Sequence, residues 1–414
     1  MPVAALAFLA LAQPMRSSEG FFLKDGDRVV TYGDSITDNG TYARYLETFV
    51  LTRFPEMRVA WVNSGWSGDR ITGGSGGTLD VRLERDVISR KPTVVTVMLG
   101  MNDGNVRPAE EKLLDSFRTG LVGLMTKVGG AVPGVRFVLF KPSPYDDINQ
   151  DPAFPGGYNS TLVRYGDVVE SVAKETGAGL VDLNTPLVDI LRKAKEYSPD
   201  VARRLIPDRI HPEPAGHLAM AYSILKAWKA PPTVSALELD AGSKKVLNRV
   251  YTWVRDVDFG STIAWTQTDA SLPFPLEYKN PRVALVVRAG GVMTDLNRQS
   301  LRVAGLPSPT YRLTIDDVVI GEFTREQLAD GIDLAPYDTP MSRQAWNVAL
   351  LVQQRAALRY SMWRTIEIGL REVNAKAREN ALRANEALEI EVMRRMREVA
   401  RPQAHRFSLV PLGS

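Results

Sequence analysis

Three apolar runs in this chain end in small and polar residues. They lead into Gly33-Asp34-Ser35-Ile36-Thr37-Asp38, Asn63-Ser64-Gly65-Trp66-Ser67-Gly68-Asp69 and Gly100-Met101-Asn102-Asp103; far downstream stands Asp208-Arg209-Ile210-His211-Pro212. These residue types suit nucleophilic attack on an acyl carbon. A serine hydroxyl is a weak nucleophile and needs a base beside it. The chain has three histidines, His211, His217 and His405. His211 is the strongest candidate base. Asp208 is three residues earlier, so one turn of chain can bring its carboxylate to the imidazole and fix the tautomer. Attack creates an oxyanion that needs donors already in place. Gly68 can offer its N–H at close range, Asn102 its side-chain amide, and Ser35 its own N–H near a helix start.

The residue types that are missing narrow the chemistry. With no cysteine there is no thiol nucleophile, disulfide framework, iron–sulfur cluster or cysteine zinc site. An HExxH zinc helix is also absent. Lys and Arg total 51 against 48 Asp and Glu, a net charge of +3. That gives no electrostatic case for nucleic acid or an anionic membrane. Hydrophobic residues at 44% and 414 residues in all suit two or three globular domains.

The elements that must hold these loops alternate. Strands are expected at Arg28–Tyr32, Val59–Val62, Thr93–Leu99, Val135–Phe140 and Gly179–Asp182. Helices are expected near 42–53, 80–90, 108–127, 162–175, 185–197 and 214–228. Thr93–Leu99 is nearly all apolar, as for a strand covered on both faces. The alternation predicts a parallel sheet with helices on both sides, and such sheets bind ligands beyond the carboxyl ends of their strands. Ala230-Pro231-Pro232 reads as a linker. Beyond it, 262–268, 282–288, 300–303 and 311–315 read as strands of a β-rich module over 235–340. Residues 341–414 read as a helical extension, with Leu388, Val392, Met396 and Val399 on one face.

The chemistry-bearing blocks resemble those of the SGNH (GDSL) hydrolase family. Gly33-Asp34-Ser35 looks like its first block, which makes Ser35 the nucleophile. Gly68 stands at the position of its oxyanion glycine. Gly100-x-Asn102-Asp103 looks like its third block, with Asn102 as an oxyanion donor, and Asp208-x-x-His211 is similar to the block that completes the triad. The resemblance covers roughly residues 25–230. It implies a three-layer α/β/α sandwich and a serine esterase that works through an acyl-enzyme, with neither metal nor organic cofactor. The family's substrates include acetylated sugars, lysophospholipids, simple esters and thioesters. A signal-like terminus and an added β module favour an acylated carbohydrate. The rival from another class is a glycan- or protein-binding protein that keeps the scaffold without turnover.

Other residues invite rival readings. Gly73-Gly74-Ser75-Gly76-Gly77 matches the G-x-S-x-G elbow, but no apolar strand precedes it, so Ser75 reads as part of a flexible rim. His217 is expected to pack or face solvent, and His405 to lie at the surface of a tail. Asp34, Asp38, Asp103 and Asn63 read as caps and loop fasteners. Asp69, Asp103, Asp146 and Asp147 lack metal-ligand spacing. Trp66 suits either an acyl pocket or packing at the sheet edge. The loop 142–158 is expected to be a substrate wall or lid. Trp253 and Trp265 read as core rather than a sugar platform, and the charged helix 366–401 as a solvated face.

Residues 1–24 form a signal-like segment. Val3 to Ala12 is an unbroken apolar run, too short to span a bilayer, and Ala10-Leu11-Ala12 fits an A-x-A cleavage site, although no Lys or Arg precedes the run. A secreted or periplasmic protein is expected, or a cytoplasmic one if the run is not a signal, with a small-molecule or carbohydrate ester as its partner.

Overall fold

The computed structural model describes residues 20–412. The run Val3–Ala12 and its Ala10-Leu11-Ala12 site lie outside those residues.

The amino-terminal half runs β1 (Arg28–Gly33), α1 (Ser35–Asn39), α2 (Thr41–Arg53) and β2 (Ala60–Gly65), then a small hairpin of β3 (Gly73–Gly74) and β4 (Gly77–Thr78). It continues through α3 (Leu79–Asp86), β5 (Val94–Met98), α4 (Glu111–Ala131), β6 (Arg136–Phe140), α5 (Gly157–Thr176) and β7 (Gly179–Val181). Three helices close it, α6 (Asn184–Tyr197), α7 (Pro199–Ala202) and α8 (Pro214–Ala227).

The five long strands form one parallel sheet in the order β2-β1-β5-β6-β7. Successive residues point to opposite faces of a strand. Val29, Val94, Val138 and Val181 therefore meet α2, α6 and α8 on one side, while Val30, Val95, Val97 and Leu139 meet α3, α4 and α5 on the other. Burial on both faces is why these strands are largely apolar. The result is the expected three-layer α/β/α sandwich. In register, Gly33 stands between Gly65 and Met98, so the loops after β1, β2 and β5 leave one edge of the sheet at one level.

The carboxyl-terminal half runs β8 (Thr233–Asp240), β9 (Lys245–Val250), β10 (Thr252–Phe259), β11 (Ile263–Asp269), α9 (Pro281–Gly290), α10 (Val292–Leu296) and β12 (Arg298–Ala304). It ends with β13 (Thr310–Ile315), β14 (Val318–Thr324), α11 (Arg325–Asp330), β15 (Ile332–Asp333), α12 (Pro340–Tyr360), a π-helical segment Ser361–Gly369, α13 (Ala375–Ala400) and β16 (Ala404–Pro411). Two sheets, β10-β11-β16-β13-β14 and β15-β12-β8-β9, share a core with α12 and α13.

Three expectations change here. The strand expected at 282–288 is the helix α9. Asn280 caps it by accepting from the Arg282 N–H, Pro281 takes the first turn, and Val283, Val286 and Ala289 recur on the buried face. The helical extension also carries a strand: β16 lies in the middle of its sheet, between β11 and β13. His405 is therefore not on a tail surface. It is buried on β16, with Nδ1 2.6 Å from Asp316 Oδ2.

The two halves pack together. Leu51 of α2 joins the core of the second half, and the buried Arg53 guanidinium donates to the carbonyls of Thr233 and Leu296. α12 is the strut between them. Met341, Ala345, Val348 and Val352 face the β-rich core, and Arg355, next on that face, reaches Glu47 of α2 at 2.7 Å and the Trp61 carbonyl at 3.1 Å. Glu389 of α13 holds the same guanidinium at 3.1 Å. Of the face expected on α13, Met396 is buried and Val392 and Val399 pack on the core, while Leu388 is exposed.

Candidate active site

Ser35 opens α1 immediately after β1. The close approach of α1 to the sheet requires glycine at Gly65, where a Cβ would lie 2.1 Å from the Asp38 nitrogen. Asp34 caps the helix: its Oδ1 accepts from the Ile36 N–H at 3.0 Å. Burial pushes the Asp34 carboxyl up to about 7. Its expected role as a cap holds.

The Ser35 Oγ is 2.8 Å from His211 Nε2, and His211 Nδ1 is 2.6 Å from Asp208 Oδ2. Asp208 also binds its own turn, its Oδ1 accepting from the N–H groups of Ile210 and His211 at 3.0 and 2.7 Å. Burial works to raise the Asp208 carboxyl, but these bonds outweigh it and hold the group below its usual range. The carboxylate accepts from Nδ1–H, which leaves the Nε2 lone pair facing the serine hydroxyl.

The loop 142–158 supports this turn. The Asp146 N–H donates to the Arg209 carbonyl at 2.9 Å, and the Gln150 amide donates to the Ile206 and Pro207 carbonyls. This loop, expected to be a substrate wall or lid, makes contacts that brace the histidine turn. Asp146 and Asp147 fasten it, accepting from Asn149 and Asn159.

The second and third loops are tied together. The Asn102 amide donates to the Asp69 carbonyl at 2.9 Å, one residue past Gly68, which sits at φ 79° where glycine is at ease. The Trp66 N–H donates to the Gly33 carbonyl at 2.9 Å, joining this loop to the serine loop. Among the described residues, the N–H groups of Ser35 and Gly68 have no acceptor. Asp103 fastens its loop by accepting from Ile71 and Gly100, and burial pushes it up to about 6. Asn63 donates to the Thr37 and Asp38 carbonyls. Asp69 is paired with Arg82 at 2.8 Å. Ser75 accepts from the Trp66 indole at 3.1 Å, so it belongs to the wall over Trp66.

His217 is buried and stacked on Tyr42, and burial, with Arg44 and His211 adding to it, pushes it down to about 3. Trp265 is buried against Phe407 and Trp253 is half-buried, so the two make no platform.

The sequence reading missed the contribution of the second half. A cavity of about 670 Å³ is lined by Ser35 and His211 on one side and by Gln353, Arg359, Tyr360 and Trp363 on the other. Arg364 pairs with Asp38 at 2.8 Å, and the Trp363 indole donates to Asp86 at 2.7 Å. Asp38 is thus an ion-pair partner as well as a helix residue. π-helical turns gather at functional sites, and this one carries both residues. A signal was present: Arg355 recurs in step with Val348 and Val352, an arginine on an apolar face.

Residues 31–219 match the GDSL-like Lipase/Acylhydrolase family. This chain is 29% identical over 222 residues to an acetylxylan esterase of Geobacillus stearothermophilus, covering 49% of this chain and 93% of that protein. It is also similar, over both halves, to the solved structure of a gut microbial diltiazem-metabolizing enzyme. The identity is 28% and the TM-score 0.81, covering 94% of this chain and 98% of that one. In fold and loop arrangement, residues 31–219 of this chain are similar to the GDSL (SGNH) acylhydrolases. Among the described residues, no helix is long and apolar enough to cross a membrane.

Proposed function

We propose that this hydrolase is a serine esterase in which Ser35 is the nucleophile. The observation that carries the reading is the chain of two hydrogen bonds, Ser35 Oγ to His211 Nε2 at 2.8 Å and His211 Nδ1 to Asp208 at 2.6 Å. As Oγ attacks the ester carbonyl carbon, its proton passes to Nε2. Asp208 stabilises the imidazolium that forms. The oxyanion takes hydrogen bonds from the Ser35 and Gly68 N–H groups and the Asn102 amide. The carbon–oxygen bond to the alcohol breaks, and the alcohol leaves with the proton from His211. Water then attacks the acyl-Ser35 ester by the same route.

Acetyl esters of carbohydrates are the leading substrate class, supported by the similarity to an acetylxylan esterase. The similarity to an enzyme that metabolizes diltiazem supports a site that also takes small non-sugar molecules. A fluorophosphonate probe tests the nucleophile and acetylated xylan the substrate. The reading expects labelling at Ser35 and release of acetate. A folded protein that takes no label would contradict it and favour a binding role.

A further inference from the structure

The cavity in front of Ser35 and His211 holds more cation than its contacts neutralise. Four arginines line it. Arg90 is paired with Glu367 at 2.8 Å, Arg355 with Glu47 at 2.7 Å and Arg359 with Glu389 at 2.9 Å. The fourth, Arg44 on α2, donates only to the Asn39 carbonyl at 3.0 Å and to Thr41 Oγ1 at 2.7 Å. Among the described residues, no carboxylate lies within ion-pair distance of it. Glu47, which also lines the cavity, is occupied by Arg355.

A second group on this wall also lacks a partner. The His217 side chain is 1% exposed and lines the same cavity, and its Nδ1 has no hydrogen-bond partner among the described residues. A buried polar atom without a partner is costly unless something completes it. An uncompensated guanidinium and an unpartnered imidazole nitrogen lining one cavity suit a ligand with negative charge and more than one oxygen. A carboxylate meets both needs, accepting from the guanidinium fork and from an imidazole N–H.

We propose that Arg44 and His217 form a subsite for a carboxylate carried by the ester substrate, which makes this an esterase for anionic esters. The inference rests on Ser35 being the esterase nucleophile, and it adds the charge of the substrate. The carboxylate belongs either to the acyl part or to the alcohol part, and matched ester pairs distinguish the two.

One pair is 3-acetoxybenzoate and its methyl ester, which differ in charge on the alcohol side. The other is mono-4-nitrophenyl adipate and its methyl ester, which differ on the acyl side. In one pair the wild-type kcat/KM for the anion should exceed that for the neutral ester by about tenfold to a hundredfold, the usual worth of a charge-assisted hydrogen bond. Arg44→Gln should bring that ratio close to one, chiefly through KM, and Arg44→Lys should keep most of it. A purely structural role for Arg44 would move both members of a pair alike and leave the ratio intact. Wild-type ratios near one in both pairs, or a preference that survives Arg44→Gln, would overturn the subsite while leaving the esterase in place. Should no ester be cleaved and Ser35 take no fluorophosphonate, the esterase reading falls and the subsite with it.

Discussion

The guanidinium of Arg364 lies 3.4 Å from the centroid of the Trp66 ring. Trp66 belongs to the loop that carries Gly68, and Arg364 to the π-helical segment nearly 300 residues later. The same guanidinium holds Asp38, three residues past Ser35. Trp363 meets Trp66 edge-on at 5.7 Å, with Arg82 5.1 Å away over the same ring. The second half of the chain is thereby fixed to two of the loops that form the candidate site.

This contact should be felt in turnover as well as stability. A cation over an indole contributes about 0.5–2 kcal/mol, more where water is excluded. Arg364→Ala also leaves Asp38 unpaired within the serine helix. We expect a drop of several degrees in Tm and a loss of about tenfold in kcat/KM, the scale of a small misplacement in a preorganised site. Arg364→Lys keeps the charge and loses the flat stack, so it should fall between. Thermal melts and kinetics on one ester measure both effects, and an alanine variant with unchanged kcat/KM would show that the contact only packs.

Substitutions in the candidate machinery should separate by role. Ser35→Ala should lower kcat by roughly 10⁴–10⁶, by analogy with other serine triads. Asn102→Ala should cost about 10²–10³, the size of one lost oxyanion donor. Asn102 also ties the third loop to the Asp69 carbonyl, so some of its loss reflects loop position. EDTA should leave activity unchanged. Steady-state kinetics on a nitrophenyl ester decide these points, and full activity in Ser35→Ala would end the mechanism.

The hydrolase half was legible because its signals are local. The parallel strands are largely apolar, the three that carry the site end in small-residue loops, and Asp208 and His211 are three residues apart. The rest depends on long-range pairing. Glu47 and Arg355 are 308 residues apart, and neither alone predicts the other. Residues 282–288 were misread because Val and Leu suit both periods; Asn280 and Pro281 gave the better cue. His405, Phe407 and Leu409 alternate as a strand should, but the run is short and follows a long helix. The cavity wall could not be read because it forms only when α12 docks on α2.

Stability should depend on pH through Asp34. An aspartate in the unfolded chain titrates near 3.9, whereas burial pushes this one up to about 7. Between those values the folded protein binds the extra proton, so stability falls as pH rises through the window. Asp34→Asn keeps an oxygen for the Ile36 N–H and removes the titration. Relative to wild type, the variant should gain up to about 1.4 kcal/mol per pH unit between pH 4 and 7. Urea unfolding at pH 4.5, 5.5 and 6.5 tests this; a difference that does not change with pH would contradict it. Asp103, pushed up to about 6, adds a slope of the same sign in both proteins, and His217, pushed down to about 3, adds one of opposite sign.

The end of the chain should be indispensable. β16 pairs with β11 on one side and β13 on the other, and Phe407 and Leu409 are buried in the core between the sheets. Removing residues 402–414 opens two unpaired edges and deletes side chains each worth about 2–5 kcal/mol when truncated. Such a truncation should express as aggregate, with no labelling of Ser35. A soluble truncation with wild-type activity would show that the hydrolase half needs none of this support.

The buried ion network at the strut allows a sharper test. Arg355 sits between Glu47 and Glu389, with Arg359 on the far side of Glu389 at 2.9 Å. Burial raises the Glu47 carboxyl despite the arginine beside it, so desolvation outweighs part of the attraction. The pair thus stabilises less than its geometry suggests, and breaking it is costly for a different reason: the remaining charge stays buried alone. Glu47→Leu alone and Arg355→Met alone should each cost about 3–5 kcal/mol, whereas the two combined should cost far less than their sum. Urea unfolding of the four proteins in this cycle gives the coupling. Two single losses that simply add would show that Glu47 and Arg355 act independently, and that α12 is held to α2 by its apolar face alone.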